Sequence, residues 1–227
     1  MTARHAAESQ PDEQFRFARV PDSDDTRLFV ELSGYTNADL SPALHALESA
    51  IRLEKMGDPD VLARYLIEYG VVAYCRAFSE SKVRKRLGEH LVVPAEFKQL
   101  HEDVTSFRNT TVAHSQSELS TTWPVLVIDQ SGEPYVRDIQ GANLSQTLPI
   151  SSVKALIPLI ETLVDEIDAR LAPVRERILA SARSLPVPAH SRTMPDIDHQ
   201  LDDAFDPRTK RAPYPLSQTL YMHASEE

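Results

Sequence analysis

Cysteine is nearly missing from this chain: among 227 residues there is one, Cys75, so no internal disulfide can form. Glycine is also scarce, at 6. Sheet-rich folds spend glycine on tight turns, so the scarcity leans toward helix. No stretch approaches the roughly 18 consecutive apolar residues of a membrane-spanning helix. The first 14 residues are polar and have no apolar h-region, which argues against a secretory signal. These absences point to a reducing, cytoplasmic compartment and to no membrane partner. No Gly-rich phosphate loop and no Gly-x-Ser-x-Gly elbow occurs. His101-Glu102 begins like a zinc motif, but position 105 is Thr105 where a second histidine would be needed. His90, His101, His114 and Cys75 have no metal-ligand spacing, so neither a metal nor another cofactor is expected. An excess of positive charge is missing too. The net charge is −10, which argues against non-specific binding to nucleic acid but leaves room for a local basic site.

What remains is helical patterning. Leu44, Leu47, Ile51 and Leu53 make an apolar stripe over about 37–56, with Gly57 as a stop. Asp58 and Pro59 then form a helix start, as N-cap and first helical residue. Val61, Leu62, Tyr65, Leu66, Tyr69 and Val72 continue at helical spacing to about Phe78. Cys75 lies in this helix and reads as a small buried apolar residue. After a break at 79–81, the basic run Lys82, Arg84, Lys85, Arg86 is expected on a short helix reaching Leu91. It is either a solvated face or a substrate-binding patch. A further helix starts at Pro94, with Phe97, Leu100, Val104, Phe107 and Thr111 on one face.

Residues 121–129 and 135–139 alternate around a turn at 129–133 and read as a β-hairpin. The last long helix follows Ser151-Ser152. Val153, Leu156, Ile160, Leu163, Ile167, Leu171 and Val174 form its seam, suited to a bundle partner or a dimer interface. Pro158 and Pro173 should bend or interrupt it. Residues 27–32 have strand-like composition. The resulting expectation is an all-α chain with a small β-hairpin inserted before the last long helix. A flexible arm covers 1–25, a helical domain 26–183, and a Pro-rich, disordered tail 184–227.

One segment carries chemistry. Arginine followed six or seven residues later by histidine occurs at Arg84/His90, Arg108/His114, Arg183/His190 and Arg192/His199, so the spacing alone says little. Only Arg108 is followed by a small amide, Asn109, and sits at the end of a strongly amphipathic helix. Arginine makes bidentate contacts to phosphate oxygens, and histidine transfers protons near neutral pH. Bland alternatives exist. Arg108 could pair with Glu102 or Asp103, and His114 could interact with a helix C-terminus. In a straight helix six residues rotate roughly 120° off-face and rise roughly 9 Å, so a working site needs a helix irregularity or a second chain.

Phe107-Arg108-Asn109 through Ala113-His114-Ser115 resembles the HEPN superfamily of helical bundles, above all its prokaryotic abortive-infection and toxin members. The resemblance implies a HEPN-like bundle and a metal-independent endoribonuclease acting as a toxin or phage-defence effector. It further implies Arg108, Asn109 and His114 as catalytic residues, RNA as substrate, and a homodimer with a shared cleft. A nucleotidyltransferase-type antitoxin is a conceivable partner. His101 and the basic run Lys82, Arg84, Lys85, Arg86 are candidates for substrate contact, with hydrogen bonding inside the protein as the alternative for His101. The rival from another class is a non-catalytic helical module that binds a partner protein or a nucleotide, and the net charge leans toward it.

Overall fold

A computed structural model describes residues 18–55, 61–114, 116–185 and 196–222. It divides into two units, Leu28–Pro173 and a second made of 1–27 with 174–227. Five α-helices are described: α1 (Asp24–Gly34), α2 (Ser41–Lys55), α3 (Val61–Phe78), α4 (Lys98–Phe107) and α5 (Ile150–Arg183). Four strands accompany them: β1 (Ser120–Asp129), β2 (Tyr135–Ser145), β3 (Asp196–Leu201) and β4 (Ser217–Met222).

The described residues are therefore mixed rather than all-α, at 57% helical and 17% strand, with two small sheets. The expected hairpin is one of them: β1 and β2 pair antiparallel from Ser120↔Ser145 to Asp129↔Tyr135, with a register shift after Val127. The second sheet overturns the all-α expectation. β3 and β4 pair in parallel, Asp196↔Ser217 through Leu201↔Met222, within the Pro-rich C-terminal stretch. Parallel strands share no tight turn, so this pairing leaves no short-range signal in the sequence.

In the larger unit the core is helix on helix. Leu40, Ala43, Leu47 and Ala50 of the α2 region, Val71, Tyr74 and Ala77 of α3, and Val104 of α4 are fully enclosed. The α5 seam meets the same core: Val153, Leu156, Leu159, Ile160, Leu163 and Ile167 have no exposed surface. That seam is consumed inside the chain. α5 continues through Pro158 and Pro173 as one helix.

Three local readings are corrected. The strand-like segment 27–32 is helical, as part of α1. A π-helical turn, Tyr35–Leu40, separates α1 from α2 where one helix start was expected. The basic run does not form a helix; it passes through bends into a short 3-10 turn, Leu87–Glu89. The Gly57 stop and the Asp58-Pro59 cap lie outside the described residues, as do most of the N-terminal arm, His190 and Arg192.

Gly70 shows why α2 and α3 approach so closely. A Cβ there would lie 2.8 Å from Leu47 Cγ and Cδ2 and 3.3 Å from the Ala43 carbonyl oxygen. In an open helix Gly→Ala gains about 1 kcal/mol. Here the methyl meets a fully buried leucine and main chain, and overpacking costs about 1–3 kcal/mol. Gly70→Ala should therefore lower the denaturant midpoint; a raised midpoint would contradict this packing.

In the smaller unit, Arg177 forms a fork with Asp25, with Nη2 2.6 Å and Nε 3.0 Å from the carboxylate oxygens. The guanidinium holds the Asp25 carboxyl below its usual range. Arg19 donates to the Leu216 carbonyl at 2.8 Å, and the Tyr214 hydroxyl donates to the Val20 carbonyl.

Candidate functional site

α4 is built to end at the motif. Val104 and Phe107 bury their side chains in the core, which fixes where residue 108 emerges. At that point the helix widens into a π-turn, Arg108–Val112. The Ala113 N–H reaches back five residues to the Arg108 carbonyl at 2.9 Å, and the Gln116 N–H reaches Thr110 at 3.0 Å. π-turns inside helices are rare and often fall at functional positions. The turn is an irregularity at the motif, and among the described residues no hydrogen bond joins His114 to Arg108 or Asn109.

Arg108 and Asn109 are brought together. Arg108 Nη1 donates to Asn109 Oδ1 at 3.0 Å, while Arg108 Nε is shielded from solvent and finds no acceptor among the described residues. Asn109 and His114 are exposed. Among the described residues Arg108 forms no ion pair with Glu102 or Asp103; Asp103 instead accepts from Gln99 at 2.9 Å, and Lys98 lies 3.9 Å from Glu102. Behind the motif lies Cys75, whose Sγ points at the Val104 carbonyl 4.0 Å away. Burial pushes its thiol up to about 11, against the opposing pull of Thr105 and the Arg108 charge. Beyond His114 the chain borders an open polar concavity of about 620 Å³, lined by residues including Gln116, Ser117, Glu118, Thr121, Thr122 and Asn143. Hydroxyls and amides dominate this lining, and no cation is among the residues that form it.

His101 faces the other way, into the protein. Its Nδ1 lies 2.7 Å from the Tyr74 hydroxyl, and its ring sits edge-on to Phe78 with centroids 4.6 Å apart. Burial lowers its pKa, only partly countered by Glu102. A His that is harder to protonate folded than unfolded favours the native state above the unfolded pKa of about 6.5. That contribution is lost as pH falls through the lowered folded value. Wild type should lose denaturant stability on acidification below about pH 6.5, and His101→Gln should flatten that loss. Identical pH profiles would contradict this placement.

The basic run is largely committed elsewhere. Arg84 pairs with Asp39 and stacks over the Tyr35 ring, 4.8 Å from its centroid. Arg86 pairs with Glu80, and its backbone N–H donates to Glu89 at 3.1 Å. Lys85 has an exposed side chain, but its backbone donates to Glu31 at 2.5 Å and accepts from the Tyr35 hydroxyl at 2.6 Å. Lys82 is exposed.

Sequence reasoning missed the anchor of this run. Asp39 is 1% exposed, sits in the Tyr35–Leu40 π-turn, and holds Arg84 on one oxygen and Arg76 Nε at 2.5 Å on the other. In the sequence Asn37-Ala38-Asp39 looks like an ordinary helix start, and nothing local marks Asp39 as buried. Among the described residues no group of three or more His, Cys, Asp or Glu side chains is gathered, and no helix is long and apolar enough to cross a membrane. In comparisons with known proteins, no family model, no curated protein and no solved structure matches the chain.

Proposed function

We propose that this protein is a metal-independent endoribonuclease of HEPN type, acting as a toxin or phage-defence effector through Arg108, Asn109 and His114. The observation that carries the reading is the π-turn on the motif itself. It sets a paired Arg108–Asn109 and an exposed His114 at the end of a helix whose buried face anchors them.

The chemistry needs only these side chains. His114 accepts the proton of a ribose 2′-hydroxyl. The 2′ oxygen then bonds to phosphorus while the P–O5′ bond breaks and the leaving 5′ oxygen takes a proton from water, giving a 2′,3′-cyclic phosphate and a 5′-hydroxyl. Arg108 stabilises the charge that builds on the phosphate oxygens, and Asn109 fixes the guanidinium through its amide oxygen. A homodimer with a shared cleft and a nucleotidyltransferase-type antitoxin belong to this reading as partners.

The alternative is a helical module that binds a partner protein or nucleotide without cleaving RNA. The net charge of −10 and the committed arginines of the basic run favour it. Incubating purified protein with mixed cellular RNA separates the two. Cleavage that depends on His114 supports the enzyme, and an intact RNA profile supports the module.

A further inference from the structure

We propose that the polar concavity beyond His114 is a base-recognition subsite, taking an RNA nucleobase that bears an exocyclic amine, adenine foremost, and discriminating against uracil. The inference rests on the ribonuclease reading and adds the specificity of the same site. It starts from where the concavity lies. Gln116, in its lining, is two residues past His114, at most roughly 7 Å of chain. The Gln116 N–H is tied back to the Thr110 carbonyl at 3.0 Å, which fastens the lining to the Arg108–Val112 turn. The volume, about 620 Å³, falls within the roughly 300–1,000 Å³ of small-molecule sites and is ample for a nucleoside.

Charge decides which part of RNA enters. Among the described residues that line the concavity, Glu118 is the one charged side chain. A carboxylate with no cation beside it in the lining repels phosphate, so the anionic backbone cannot run through. Arg108 stands outside the lining and is the cation left for the phosphate. A base splayed out of a single strand carries no charge, and its edges are what amides and hydroxyls hydrogen-bond.

The hydrogen bonds within the lining decide which base. Thr121 Oγ1 donates to the Glu118 carbonyl at 3.3 Å, and Ser117 Oγ accepts from the Leu119 N–H at 3.1 Å. The Gln146 N–H donates to the Leu119 carbonyl at 2.7 Å. These bonds hold the loop before a ligand arrives, which lowers the ordering cost of binding. Thr122 Oγ1 donates to Asn143 Oδ1 at 3.4 Å, which leaves the Asn143 amide nitrogen as a donor. Gln116 and Glu118 are exposed, and their side chains have no hydrogen-bond or ion-pair partner among the described residues. Gln116 therefore offers one acceptor and a donor group, the pattern that pairs with the N6 amine and N7 of adenine. Glu118 offers acceptors only, matched to an exocyclic amine. Uracil has no amine and would set carbonyl oxygens against that carboxylate, leaving it unpaired.

Purine riboside is adenosine without the amine, so it isolates the contact. The test uses short oligouridylates with one central adenosine, purine riboside or uridine. Wild type should cut beside adenosine about tenfold or more faster than beside the other two, the size of one lost base contact. Gln116→Ala with Glu118→Ala, shown folded by circular dichroism, should bring the adenosine rate down to that of purine riboside. Anisotropy of the same oligomers, labelled and mixed with folded His114→Ala, should give the same order of affinity without cleavage. Equal rates for adenosine and purine riboside would overturn the subsite, and so would a preference that persists in the folded double variant. Absence of cleavage with the order of affinity intact would remove the ribonuclease reading and keep the subsite. Absence of cleavage with equal affinities would remove both.

Discussion

His114→Ala is expected to slow RNA cleavage by about 10²–10⁴-fold while leaving the fold intact, the range lost when a general acid–base group is removed. The side chain is exposed, so alanine there disturbs no packing. Arg108→Ala should cost a comparable factor, because in the proposed reaction the guanidinium stabilises the phosphate charge. Arg108→Lys should recover little. A point charge cannot reproduce the planar fork of the guanidinium. Asn109→Ala should fall between wild type and Arg108→Ala, since it loosens the arginine without removing it. Rates on a defined oligoribonucleotide, with circular dichroism on each variant, check the series. Equal rates for Arg108→Lys and wild type would remove the bidentate role.

The second large effect concerns stability. Asp39→Ala should destabilise the fold by about 3–5 kcal/mol, the cost of breaking a buried ion pair from one side. Asp39 is 1% exposed and the Arg84 side chain 10%, so deleting the carboxylate strands a guanidinium in a nearly dry site. Arg76, whose side chain is 49% exposed, can turn to solvent and adds little. For a domain of this size the loss corresponds to a fall in Tm of roughly 6–20 °C. Replacing both partners, Asp39→Leu with Arg84→Met, should cost less than Asp39→Ala alone, because no charge is left unpaired. Thermal unfolding of the three proteins decides this. A double variant less stable than Asp39→Ala would mean that the pair is not an isolated unit.

These two sites were unequally legible. Arg108, Asn109 and His114 stand out because the stripe Leu100, Val104, Phe107 marks one helix face up to their position. The π-turn that shapes them is invisible, since five residues of widened helix do not change an apolar stripe that has already ended. Asp39 was illegible for the opposite reason: its burial is decided by Arg84, 45 positions away, and no periodicity records that partnership. The same partnership explains the missing basic helix. Once Arg84 turns inward to Asp39 and Lys85 hydrogen-bonds Glu31 and Tyr35 through its backbone, the segment cannot keep a helical ladder. The helices α2 to α5 and the β1–β2 hairpin follow from local pattern. β3 and β4 do not, because each is short and their pairing is parallel and distant in sequence.

The central claim is that this chain cuts RNA through its own side chains at the Arg108–His114 turn. The most direct measurement is end-group analysis of RNA incubated with wild type and with folded His114→Ala, both in excess EDTA. The account predicts 2′,3′-cyclic phosphate and 5′-hydroxyl ends from wild type and almost none from the variant. Equal yields from both proteins, or no cut RNA from either, would contradict it.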